Sequence, residues 1–169
     1  MTDPNQTRQV SAQELLSLAT GTTFGRSVLA LVIGFIGLLM PFVGYSTNLG
    51  LGADQSGSLS GFQAAGWAAW LMVIVFVAAA ASWKIVQLAP YRLILAGAAL
   101  VTAVLAVIVG WFFNPATQQL GELQSALGPL AAQGNLLHLG PHIGMVVVLI
   151  AGALHGWTAW NTRRAAVIM

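Results

Sequence analysis

The chain has 169 residues, 57% of them hydrophobic and only 6% charged, with six Lys or Arg against four Asp or Glu. Soluble domains carry roughly 25% charged residues, and a mean hydropathy of +0.82 leaves too little polar surface for a globule exposed to water. This balance disfavours a soluble enzyme and a disordered chain. It also disfavours a nucleic-acid partner, because no dense basic run is present to track a phosphate backbone.

Cysteine is absent. That removes disulfides, thiolate nucleophiles, Cys-ligated metals and covalent c-type haem.

Residues 1–26 read as a cytoplasmic N-terminal segment. Within it Ser11, followed three residues later by Glu14, matches a capping box. This predicts a short amphipathic helix carrying Leu15, Leu16 and Leu18 along the membrane surface. Four apolar stretches follow, at about 27–45, 64–83, 93–113 and 139–160. Each has the ~20 residues that cross a hydrocarbon core of about 30 Å, and none contains Asp, Glu, Lys or Arg. The first lacks a small-residue cleavage site after a short apolar run, so it reads as a retained span. Pro90 breaks the chain between the second and third, which predicts a tight antiparallel hairpin.

The expected fold class is therefore all-α: an integral membrane bundle of four transmembrane helices over residues 27–161, followed by a tail at 162–169. The first outer loop, 46–63, is rich in Gly and Ser and reads as a flexible connector. Its Gly57-Ser58-Leu59-Ser60-Gly61 places Leu59 where a nucleophile elbow needs its nucleophile. In the second outer loop, 114–138, Leu120, Leu123, Ala126 and Leu127 share one helical face, and Gly128-Pro129 ends the run.

Arg8, Arg26, Lys84, Arg92, Arg163 and Arg164 all fall on one side of these spans. The two outer loops carry only Asp54 and Glu122. Such a bias places both termini in the cytoplasm and the chain in a bacterial inner membrane. Trp83, Trp157 and Trp160 mark the cytoplasmic interface; Trp67 and Trp111 mark the other, with Trp70 one turn deeper.

Small residues recur at spacings of three and four. Ala96, Ala99, Ala103, Ala106 and Gly110 form one stripe. Gly140–Gly144 and Gly152–Gly156 form GxxxG pairs, and the first span adds Ala30, Gly34 and Gly37. Lipid tails are as apolar as Leu, so helices in membranes associate where small residues let backbones approach. These faces serve either the bundle itself or docking to other membrane subunits or a second copy.

The three histidines are the titratable groups nearest the spans. His138 and His142 are four apart and share a face if the fourth helix begins early. They would supply two metal ligands, with Glu122 or Asp54 as an acidic third. His155 lies deeper. His142 and His155 are 13 residues apart, about 19.5 Å along a helix, too far to bracket one haem. A haem would need His155 from a symmetry mate or an axial Met40, Met72 or Met145. A chlorophyll-type pigment would need one histidine, His155 or His142. A proton-coupled exporter needs a carboxylate within the membrane, and no span holds one.

Three features resemble small bacterial four-transmembrane-helix proteins of unknown function. They are the polar N-terminal tail, the Gly/Ser-rich loop leading through Ser60-Gly61-Phe62 into a Trp-containing span, and Arg163-Arg164 after the fourth span. The resemblance implies the topology and no activity. The expected role is a non-enzymatic accessory subunit of an inner-membrane complex. A haem or pigment carrier and a small transporter or channel are the alternatives.

Overall fold

The computed structural model describes residues 21–47, 55–115 and 137–167, with isolated positions 17 and 118. The expected N-terminal amphipathic helix and the helix of the second outer loop lie outside the described residues, as do all four acidic side chains.

Helix α1 spans Thr23–Leu39. Thr22 caps it, accepting a hydrogen bond from the Gly25 amide at 3.0 Å. The helix stops short of the expected limit at 45. Met40 is extended, at φ −70° and ψ 161°, because the following Pro41 disfavours helical geometry in the residue before it. The chain then runs as strand β1, Pro41–Thr47.

Strand β2 spans Gln55–Ser60 and β3 spans Leu137–Pro141. Both pair antiparallel with β1, giving the order β2-β1-β3. The purely helical expectation is thus corrected by a small sheet at one end of a mostly helical fold. The expected connector at 46–63 contains β2 and a short helix, α2, Gly61–Ala65. Gly and Ser are poor strand formers in isolation. Pairing with the aromatic and β-branched β1 overrides that weak preference.

Ser60 and Gln63 close a capping box on α2. Gly66 ends α2 at φ +51°, a conformation that favours glycine, and α3 begins at Trp67 and runs to Ala81. The second expected span, 64–83, is therefore two helices. A 3₁₀ segment, Val86–Tyr91, carries Pro90. Helix α4, Arg92–Phe112, falls within a residue of the third expected span at each end. Helix α5, Ile143–Val167, starts later than residue 139 because β3 occupies that stretch.

Two helical segments, Val86–Phe112 and Ile143–Arg163, are long and apolar enough to cross a membrane. Helices α1 and α3 are apolar but shorter, with 17 and 15 residues. At 1.5 Å per residue they extend about 25 and 22 Å.

Helices α1, α3, α4 and α5 form a ring in which α5 packs on α1 and α4, and α3 on α4 and α1. Small residues line these seams. A Cβ on Gly34 would meet Phe76 at 2.7 Å, and one on Gly152 would meet Ala103 at 2.8 Å. Gly110 faces Phe42, and Gly144 faces the backbone carbonyls of Gly37 and Pro41. Ala96, Ala99, Ala103 and Ala106 are buried on α4. Gly140 and Gly156 have nothing within 4 Å of a built Cβ. Apart from these two glycines, the stripes are consumed by packing within the chain.

Large apolar side chains point outward on every long helix. Val32 and Phe35 are exposed on α1, Trp70 and Ile74 on α3, Val101 and Ile108 on α4, and Val146 and Ile150 on α5. A ring of this kind is the surface a hydrocarbon solvent accepts. Most buried hydroxyls bond locally: Thr102 Oγ1 donates to the Ala98 carbonyl at 2.9 Å, and Thr158 Oγ1 to Leu154 at 2.8 Å.

Candidate functional site

The three-stranded sheet carries a shallow, open cleft of about 420 Å³, lined by Gly44, Tyr45, Ser46, Ser56, Gly57, Ser58, Gly140 and His142. Its floor follows from register. Gly44 faces Ser58 on one side and Gly140 on the other, and Ser46 faces Ser56. Residues directly opposite in an antiparallel pair share a face. Small and hydroxyl side chains therefore make one surface of the sheet. The alternate positions put Val43 opposite Leu59, and these pack on the bundle core.

His142 overhangs the floor. Its backbone is pinned by a bond from its amide to the Phe42 carbonyl at 3.0 Å, and its own carbonyl accepts from Met145 at 3.1 Å. The imidazole lies over Gly44, in the space a Cβ there would occupy. Tyr45 uses Gly57 in the same way, with its hydroxyl over the glycine. At these two positions a ring occupies the space a Cβ would take. The cleft thus offers three serine hydroxyls and an exposed imidazole, a set that exchanges hydrogen bonds with a polar group.

His138 and His142 do not share a helix face. His138 is in β3, opposite Ser46, and the helix starts after His142. Four residues of extended chain put their Cα atoms roughly 13 Å apart. The shared helical face expected for the pair is therefore absent, because the helix begins only at Ile143. Among the described residues, no group of three or more His, Cys, Asp or Glu gathers as metal ligands.

His155 is buried in the bundle at 2% exposure. Its ring stands edge-on to Phe76, with centroids 4.7 Å apart. Among the described residues its Nε2 has no hydrogen-bond partner, and neither does the buried Ser27 Oγ. Gly34 lies against Ala151 and Gly37 against Val148. Continued along the two antiparallel helices, that register puts His155 beside Ala30 and Ser27 beside Thr158. Both orphan atoms sit in the α1–α5 seam about one turn apart. Protein atoms cover Nε2, so a tetrapyrrole could approach it only if the seam opened.

The sequence pointed to His142 but not to Tyr45, Ser46, Ser56 or Ser58. The signals were the alternation in Phe42-Val43-Gly44-Tyr45 after Pro41 and in Ser56-Gly57-Ser58-Leu59. They were masked by the apolar run before and the Gly/Ser composition after.

The fold and cleft define a class: a mostly helical protein with two helices able to cross a membrane and a small sheet at one end of its bundle. No family model matches the chain, and neither a curated protein nor a solved structure matches it.

Proposed function

We propose that the chain is a multi-pass protein of a bacterial inner membrane, with α1, α3, α4 and α5 as its spans and both termini cytoplasmic. It acts as an accessory subunit. The sheet stands at the outer surface and recognises an uncharged polar segment of a membrane partner. The observation that carries this reading is the cleft, where Ser46, Ser56, Ser58 and His142 surround a floor kept clear by Gly44 and Gly140. The small-residue stripes, by contrast, are occupied within the chain except at Gly140 and Gly156.

Helices α1 and α3 reach the needed thickness with their flanks. The α3 helix is continued by the turn at Ser82 to Lys84, and α1 by Pro41–Thr47.

Two experiments test the proposal. A cysteine at Ser56 should label only from outside the cell, and one at Gln87 only after permeabilisation; the reverse pattern refutes the topology. A photo-crosslinker at Ser58 should capture one stoichiometric partner, and His142→Ala should abolish the adduct. Crosslinks to lipid alone, or an adduct indifferent to His142→Ala, refute the accessory role.

The unpartnered His155 Nε2 favours a second reading, haem or pigment carriage. Protein purified in mild detergent would then absorb in the visible range and lose that band on His155→Ala. A colourless stoichiometric preparation removes this reading.

A further inference from the structure

We propose that the opposite end of the α4–α5 seam binds an anionic phospholipid. Its phosphate lies between Arg92 and Arg163, and an acyl chain runs over Gly97 and Gly156. The proposal rests on the membrane reading above, which puts this end at the cytoplasmic interface.

A cavity of about 230 Å³ opens here, lined by Trp83, Arg92, Leu93, Ala159, Thr162 and Arg163. Arg92 is held in place. Its Nε donates to the Ser82 carbonyl at 2.9 Å, and its guanidinium stacks 4.8 Å from the Trp83 ring centroid. Those contacts fix the fork and leave its terminal nitrogens without a hydrogen bond among the described residues. Arg163 is exposed on the facing helix and has no ion-pair partner among the described residues. Two guanidiniums thus line one cavity, donors suited to phosphate oxygens, while the Thr162 hydroxyl donates to the Thr158 carbonyl of its own helix.

The other walls point to a lipid as the source of that phosphate. Leu93 and Ala159 line the cavity. One turn further into the bundle, on the same helix faces, are Gly97 and Gly156. A Cβ built on Gly152 lies 2.8 Å from Ala103 and 3.4 Å from the Leu100 Cα. Followed along the antiparallel helices, that register brings Gly97 and Gly156 to the same depth. Neither has an atom within 4 Å of a built Cβ. These two positions leave a strip free of side chains beyond the arginines along the α4–α5 seam, which in the proposal takes the acyl chain that inorganic phosphate lacks. Basic pockets between spans on the cytoplasmic side take anionic headgroups for this reason.

The test uses the full chain in nanodiscs of equimolar phosphatidylglycerol and phosphatidylcholine, with retained lipid read by native mass spectrometry. Phosphatidylglycerol should be retained preferentially, with about fivefold selectivity per guanidinium. Arg163→Gln breaks no contact among the described residues and should lower the ratio by about that factor. Gly156→Leu should fill this strip and reduce retention with both arginines intact. Excess inorganic phosphate should leave the lipid bound. Equal retention of the two lipids, or a ratio unchanged by Arg163→Gln, overturns the proposal. Displacement by inorganic phosphate together with a silent Gly156→Leu overturns the lipid as occupant and assigns the site to free phosphate. A chain that alkaline carbonate strips from membranes refutes the membrane reading itself. One that stays embedded without headgroup selectivity refutes only this site.

Discussion

Gly144→Ala tests whether the glycine stripes belong to the bundle or to a partner. A Cβ at this position would sit 2.7 Å from the carbonyl oxygens of both Gly37 and Pro41 and 3.2 Å from that of Met40. Carbon–oxygen contacts are comfortable from about 3.3 Å, so α5 must retreat from α1 by roughly half an ångström. The obstacles are backbone atoms at the point where α1 gives way to β1, and they cannot rotate aside. Overpacking of this kind costs about 1–3 kcal/mol. The control is Gly156→Ala, the second glycine of the other GxxxG pair, where a Cβ meets nothing within 4 Å. It should be neutral, or stabilising by up to about 1 kcal/mol through helix propensity. Reversible unfolding in mixed micelles, followed by circular dichroism, measures both. A neutral Gly144→Ala beside a Gly156→Ala that dissociates a complex would refute the internal assignment.

Three further outcomes are expected. His155→Leu removes a buried imidazole whose Nε2 has no partner and should stabilise the bundle by about 1 kcal/mol or more in the same unfolding assay; a comparable loss would mean that the nitrogen holds a ligand. Ser60→Ala deletes the bond that the Ser60 hydroxyl accepts from the Gln63 amide at 3.4 Å and keeps the one from the Ser60 amide to Gln63 Oε1 at 3.0 Å. It should cost about 1 kcal/mol and speed amide exchange in Gly61–Ala65, and unchanged exchange there would refute the cap. Gly44→Ala places a methyl where the His142 imidazole lies. It should shift the His142 ring resonances and remove the Ser58 crosslink while changing stability by less than about 1 kcal/mol; an unmoved ring would refute the stacked geometry.

That charge cannot cover the surface of this chain was legible in composition alone, because only ten of its 169 residues carry it. Helix α4 was legible almost to the residue. It is bounded by Pro90 before and Asn114-Pro115 after, and its period is uninterrupted. The stripe on that helix was legible too, since spacing by three and four depends only on the helical repeat.

What faced the stripe was not legible. Periodicity identifies a face but not its partner, and only packing showed that Ala103 meets Gly152 while Gly156 stays open. The sheet was hidden for a related reason. Apolar runs read as helix until a neighbour competes for their backbone bonds, and β1 becomes a strand because β2 and β3, distant in sequence, pair with it on both sides. His142 was visible as a residue. Its place over Gly44, among three serines from two strands, exists only once those strands are in register. Local rules thus determined the long helices and their faces, while long-range pairing decided which residues form a site.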